Sequence, residues 1–327
     1  MSSVRPRVVI SRCIEFEACR YNGSKIPSEI VLRLMPYVDF LPVCMESDMG
    51  LGVPRDPIRI VRVDGQDRLV QPATGRDVTE TALAFSSDHL SRLKDVDGFI
   101  LKGRSPSCGL KDARIYPPGG EKAALTGRSA GIFAREVARA FPDTAAEDET
   151  RLLNASLADH FLTQIFTSAR FRECRKNMSA KGLMDFHSRH KLLLMGYNQE
   201  AMRRLGRIAA SKEDVAARFD SYSHELHAAL RRPPRCRSWN NALMHAMGYF
   251  SERLQAPEKE QFLQMLKWYD EGKIPLTAPL LMVRSWALRY DEAYLLGQVL
   301  FEPYPAEFMD MMGTDACTGR DLWKATG

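Results

Sequence analysis

The apolar pattern of the chain changes character once, near residue 150, and this change constrains the fold more than any single motif. Before it, short β-branched runs at 7–11 (RVVIS), 39–43 (DFLPV) and 98–101 (GFIL) alternate with helical spacing at 30–34, 79–94 and 127–141. Strands alternating with helices imply βαβ units and a mostly parallel sheet. After it, every strong pattern has a helical period: 157–166, 186–204, 214–230, 239–254, 257–271 and 280–300. Pro233, Pro234, Pro257 and Pro275 fall between or at the starts of these runs, as helix breakers should. The acidic stretch 143–149 (DTAAEDE) has no apolar period, so the boundary is placed in it or just after it. The expected architecture is an α/β domain over 1–155 followed by an all-α domain over 156–327.

With 327 residues and 45% hydrophobic side chains, the chain can bury two full cores. That composition excludes a disordered polar chain and a disulfide-dense miniprotein. Nothing approaches 18 consecutive apolar residues, so no transmembrane helix is expected. The N-terminus lacks the apolar stretch and cleavage pattern of a secretory signal, and a cytoplasmic location is the expectation.

Charge divides as sharply as periodicity. Residues 1–150 hold 21 basic and 21 acidic side chains, whereas residues 165–253 alone hold 17 basic and 8 acidic ones. A neutral first half joined to a basic second half suits chemistry in one part and capture of a polyanion in the other. A solvated basic face accounts for the same numbers.

Four of the seven cysteines lie in the first third. Cys13 and Cys44 directly follow expected strands, and Cys108 follows a third in the turn Lys102-Gly-Arg-Ser-Pro-Ser-Cys-Gly109. In an open parallel sheet, ligands bind beyond the carboxyl ends of the strands, so these three thiols are expected to meet at one sheet edge. Three soft donors with one position open suit zinc, copper(I) or an iron–sulfur cluster, although buried free cysteine is also common. Glu46, two residues beyond Cys44, is placed for proton transfer beside such a centre; a solvated loop acid is the bland alternative.

Three stretches carry a resemblance. Ser11-Arg-Cys13 with Cys19-Arg-Tyr-Asn-Gly23, Cys44-Met-Glu46 with Gly50-Leu-Gly-Val-Pro-Arg55, and Ser105-Pro-Ser-Cys-Gly109 occur in the order found in the thiouracil desulfidase (TudS-like) family, which this part of the chain resembles over about residues 7–150. The resemblance implies a [4Fe-4S] cluster on Cys13, Cys44 and Cys108 with one iron lacking a protein ligand. It implies Glu46 as proton donor and acceptor, and Ser105 as a further catalytic residue. Cys19 is not among the implied ligands. Met45 stands where the family usually has proline, a change expected to alter loop rigidity rather than chemistry.

The stretches 186–195 (FHSRHKLLLM), 222–226 (YSHEL), 241–250 (NALMHAMGYF) and 269–276 (YDEGKIPL) resemble those of the helical YbgA-like domain, over about 185–308, and the fusion resembles RudS-type proteins. That implies removal of sulfur from 4-thiouridine in tRNA, giving uridine and sulfide. Lys191, Arg203, Arg204, Arg231, Arg232 and Arg235 are the candidate RNA contacts. Tyr197, Tyr222 and Trp239 lie among the basic clusters as possible stacking partners. His187/His190 and His224/His227 share helix faces at i, i+3 but lack any hydrolase metal motif. Two alternatives stay open: desulfuration of free thiouracil or thiolated nucleosides with a helical dimerisation domain, and a cluster-bearing RNA-binding sensor without turnover.

Overall fold

Val8, Val9 and Ile10 are wholly buried, and a strand with no exposed face belongs at the centre of a covered parallel sheet. The computed structural model describes residues 4–119 and 124–311. The chain divides into two units, one ending at Leu153 and the other beginning at Asn154.

Among the described residues the first unit has nine strands: β1 (Arg7–Ser11), β2 (Asp39–Val43), β3 (Arg59–Val63), β4 (Gln66–Gln71), β5 (Arg76–Asp77), β6 (Gly98–Leu101), β7 (Ala113–Tyr116), β8 (Gly127–Ser129) and β9 (Ala145–Asp148). Its helices are α1 (Glu29–Leu34), α2 (Thr79–Arg92) and α3 (Ile132–Ala140). Strands β2-β1-β6-β9 form a four-stranded sheet whose pairs are all parallel. Pro42 sits in the edge strand β2, where its missing N–H costs no inner ladder bond. Phe99, Leu101, Phe133 and Val137 join Val9 in one core, which buries on the order of 2 kcal/mol of transfer energy per large side chain.

Three features depart from the sequence reading. The acidic stretch, which shows no apolar period, nevertheless holds a strand: residues 145–148 form β9, paired with β6 in the register Phe99↔Ala146, and the unit break follows shortly after it. Residues 127–129 of the expected helix instead form β8, paired antiparallel to β7. A second sheet, ordered β5-β4-β3-β7-β8, adds three antiparallel pairs and one parallel pair. Its β3–β4 hairpin turns on Asp64-Gly65, both at positive φ, a two-residue turn suited to the twist of the strands.

The second unit is helical: α4 (Ala155–Lys176), α5 (Ala180–Tyr197), α6 (Gln199–Ala209), α7 (Val215–Leu230), α8 (Cys236–Gly248), α9 (Ala256–Asp270), α10 (Thr277–Arg289) and α11 (Ala293–Leu296). The expected run 186–204 is two helices, broken at Asn198, whose extended backbone ends α5 while its side chain accepts from Ala201 N at 3.0 Å to cap α6. The run 280–300 breaks similarly at Asp291, which takes φ 49°. Gly196 on α5 is required by packing, since a Cβ there would lie 2.1 Å from the Trp239 ring of α8. Among the described residues no helix is long and apolar enough to cross a membrane.

Candidate active site

The loops after β1, β2 and β6 gather four thiols. Cys13 and Cys108 are each 9% exposed, Cys19 is fully buried, and Cys44 is half-buried. Burial pushes the Cys13 thiol far above its ordinary value, and the neighbouring Cys108, Cys19 and Cys44 push it further; Lys102 opposes them. Burial likewise pushes Cys108 up to about 12, with the Ser11 hydroxyl favouring its thiolate while Glu46 and Cys44 disfavour it. Cys19 is raised to about 12 by burial and by Cys44, to which it is hydrogen-bonded. The three candidate ligands therefore share one site, together with a fourth thiol.

Burial of Cys13, Cys19 and Cys108 favours their thiols unless a cationic centre draws the thiolates together. Among the described residues no three Cys, His, Asp or Glu side chains crowd closely enough for a single metal ion. One ion binding several thiolates would hold their sulfurs within about 4 Å of each other. Three soft thiol donors suit a thiolate-held iron–sulfur cluster, which spreads its ligands over separate irons.

Glu46 is fixed from both sides. Its Oε2 accepts from Arg55 Nη2 at 2.8 Å and Nε at 3.0 Å, and its Oε1 accepts from the Ser107 hydroxyl at 2.8 Å. The Arg55 side chain is 4% exposed, and it also donates to the carbonyls of Cys19 and Gly52 at 3.0 and 2.9 Å. The carboxylate is thus tied to the same loop that carries Cys19. Ser105 Oγ accepts from the backbone N–H groups of Ser107 (3.2 Å) and Cys108 (3.1 Å), shaping the turn that presents Cys108. Met45 is buried in the core with its sulfur 3.6 Å from Ser86 Oγ on α2, so this departure from the family pattern lies in packing.

Sequence reasoning missed Arg55 and Ser107 as partners of Glu46. Arg55 ends the Gly-rich stretch of the second motif and Ser107 lies within the third, so both were in view without a signal joining them to Glu46. It also missed Lys102, whose Nζ bonds Gly103 O at 2.6 Å and Glu149. Glu149, at the end of the acidic stretch, also accepts from Gly103 N at 2.8 Å.

The candidate RNA contacts all lie on the second unit's surface. Lys191, Arg203, Arg232 and Arg235 are exposed, as are Arg204 and Arg231. Arg204 pairs with Glu225 at 2.7 Å, and the Arg231 backbone hydrogen-bonds His160. The rings expected as stacking partners are not available: Tyr222 is fully buried, Trp239 is 6% exposed and Tyr197 is 9% exposed. The upstream basic cluster is largely consumed, with Arg170 donating to Pro303 O at 2.7 Å, Arg175 held by Asp220, and Lys176 held by Glu173 at 2.8 Å. His187 meets the Tyr222 hydroxyl at 3.0 Å and His190 meets Phe186 O at 2.8 Å, so this pair is occupied in the fold.

An α/β unit with thiols at the sheet edge, joined to a helical unit, is the class these observations define. The family described as 2-thiouracil desulfurase matches residues 8–149, and a family described as a protein of unknown function (DUF1722) matches residues 191–305. The chain is 30% identical over 151 residues to the uncharacterized protein YbgA of Escherichia coli strain K12, covering 45% of this chain and 89% of that one. It is 34% identical over 109 residues to the uncharacterized protein YbbK of Bacillus subtilis strain 168, covering 31% and 72%. A solved structure titled [4Fe-4S]-dependent thiouracil desulfidase TudS aligns at TM-score 0.37 and 23% identity, covering 47% of this chain and 97% of that one. The chain belongs to the 2-thiouracil desulfurase family through its first unit and to the YbgA-like family through its second.

Proposed function

We propose that the protein removes sulfur from 4-thiouridine in tRNA, giving uridine and sulfide without net redox change. The observation that carries this reading is the meeting of Cys13, Cys44 and Cys108 beside a carboxylate, Glu46, that Arg55 and Ser107 hold in one orientation. Cys13, Cys44 and Cys108 would hold a [4Fe-4S] cluster, which supplies a soft Lewis acid for the thiocarbonyl sulfur.

The chain's own residues do the rest. With Arg55 taking Oε2, Glu46 Oε1 is the oxygen that accepts a proton from the attacking water and later returns one. Ser107 shares that oxygen and positions it. Ser105 keeps a hydroxyl proton to donate toward substrate while its oxygen holds the Cys108 turn. Oxygen from water replaces sulfur on the ring carbon, so the atoms balance as water in and hydrogen sulfide out.

The exposed residues Lys191, Arg203, Arg232 and Arg235, with Arg204 and Arg231, supply phosphate contacts. With Tyr197, Tyr222 and Trp239 buried, RNA affinity rests on charge rather than on stacking by these rings. The thiolated base leaves its stack to reach the thiol edge. Free thiouracil is the second reading, favoured by the family description. Anaerobic assays of the reconstituted protein on tRNA and on free thiouracil, across a salt series, separate the two. Loss of 4-thiouridine absorbance that weakens steeply with salt supports the tRNA reading; turnover of free thiouracil alone overturns it.

A further inference from the structure

Cys19 is a buried thiol of the sheet edge that the proposed mechanism leaves unused. Its thiol is hydrogen-bonded to that of Cys44. The Cys44 sulfur also lies 4.0 Å from the Cys19 carbonyl oxygen, across 25 residues of sequence. Among the described residues no third Cys, His, Asp or Glu joins this pair closely enough to hold a metal ion. The Cys108 thiol is engaged elsewhere, by the hydroxyls of Ser11 and Ser105. Cys19 and Cys44 therefore stand as a pair of thiols within the larger group.

The fold holds the pair together from both sides. On the Cys44 side, Asp48 N donates to Cys44 O at 2.8 Å, and Cys44 N donates to Asp48 Oδ2 at 3.2 Å. Arg12 grips both oxygens of that carboxylate at 2.7 and 2.6 Å, and its own N–H donates to Val43 O at 2.8 Å. On the Cys19 side, Glu17 N donates to Arg12 O at 2.9 Å, and Cys19 N donates to Glu17 O at 2.9 Å. The buried Arg55 side chain then fixes Cys19 O at 3.0 Å. Arg12 thus ties the two thiol-bearing segments to each other. Their exposures differ: Cys19 is fully buried, whereas Cys44 is half-buried. A small molecule reaches Cys44 first and finds Cys19 behind it, the arrangement of an attacked thiol with a resolving thiol.

We propose that Cys19 and Cys44 are a redox modification site: in the cluster-free protein they close a reversible disulfide that withholds Cys44 from iron. The oxidant is a small disulfide of the glutathione class. The Cys44 sulfur attacks one of its sulfurs and expels one small thiol; the Cys19 sulfur then displaces the second. Two protein thiols and one small disulfide become one protein disulfide and two small thiols, and a dithiol reverses the exchange. The disulfide also keeps Cys44 on the reversible part of the oxidation ladder. Iron at Cys44 and the disulfide exclude each other, because both need the same sulfur. What the disulfide withholds rests on the desulfidase reading above, while the thiol pair stands on the geometry alone.

The cluster-free full chain is treated with diamide, whose N=N bond takes two electrons and two protons from a thiol pair and becomes a hydrazine. Alkylation and peptide mapping then locate the disulfide without any turnover. The expected result is a Cys19–Cys44 crosslink that dithiothreitol removes. The oxidised protein should gain no iron–sulfur absorbance on reconstitution until that reduction. Cys19→Ala should reconstitute equally before and after diamide, and Cys19→Ser should repeat this with a polar side chain in place. Circular dichroism checks the fold of both variants, and the wild-type peptide map decides the pairing without them. Absence of the crosslink in wild type, a crosslink of Cys44 to Cys13 or Cys108 instead, or reconstitution blocked equally in wild type and Cys19→Ala overturns the proposal. A crosslink that forms as expected in a protein that gains no cluster even when reduced would refute the desulfidase reading and leave the thiol pair standing.

Discussion

The two units handle buried polar side chains in opposite ways. In the first, Glu46, Arg55, Ser107 and the thiols sit on irregular segments beyond strand ends and satisfy one another across long sequence separations. In the second, His190 bonds the carbonyl one helical turn earlier, His227 does the same with Ser223 O at 2.7 Å, and His187 meets a tyrosine of a packed neighbour. A helix absorbs polar side chains into its own backbone, whereas the ends of a parallel sheet leave loop groups free to converge. In the proposed function, chemistry therefore falls to the first unit, and the second offers its exposed basic face.

The contrast is broken most severely at the thiols. Cys13→Ser or Cys108→Ser should abolish iron–sulfur absorbance and turnover together, while far-ultraviolet circular dichroism retains the helical signal. Glu46→Gln should keep the absorbance and lose about 10²- to 10⁴-fold in rate. Arg55→Ala leaves a buried carboxylate unpaired and should destabilise the first unit by roughly 3–5 kcal/mol, read by denaturant unfolding. Ser107→Ala removes one hydrogen bond, costing about 1–2 kcal/mol and loosening Glu46.

Smaller effects sharpen the other side. Arg232→Glu with Arg235→Glu should weaken RNA binding and flatten its salt dependence by about one unit of log–log slope per lost contact, without changing turnover of free base. The second unit should also lose stability in acid. Burial holds His160 and His187 near 4 and His190 near 3, below the unfolded value of 6.5. These histidines stabilise the fold fully above about pH 6.5, and that contribution is lost as pH falls toward 4. Buried Asp159, pushed up to about 7, acts in the opposite sense, its contribution being lost as pH rises from 3.8 to 7. Three groups outweigh one, so unfolding should set in below pH 6. All four tryptophans lie beyond residue 154, so tryptophan fluorescence reports this unit selectively.

Much of this was legible in the sequence. The β-branched run at 7–11 announced a strand of a parallel sheet, and Cys13, Cys44 and Cys108 were placed after the ends of strands that the fold contains. β9 was hidden because its two buried positions are acids: Glu147 is held by Arg151, and Asp148 caps the following turn by accepting from Thr150 N and Arg151 N at 2.9 Å. Tertiary pairing overrode a composition that reads as linker. The second sheet was missed although Asp64-Gly65 between alternating runs is a hairpin signal. The Glu46–Ser107 bond spans 61 residues, and no local pattern encodes it.

The most direct test of the central claim, that the thiol edge and Glu46 form one desulfurising site, is a paired anaerobic measurement on reconstituted wild type and Glu46→Gln. Cluster absorbance and sulfide release from 4-thiouridine tRNA are followed in the same samples. Equal absorbance with sulfide released by wild type alone is the predicted result. Equal sulfide release from both proteins, or none from a fully loaded wild type, would contradict it.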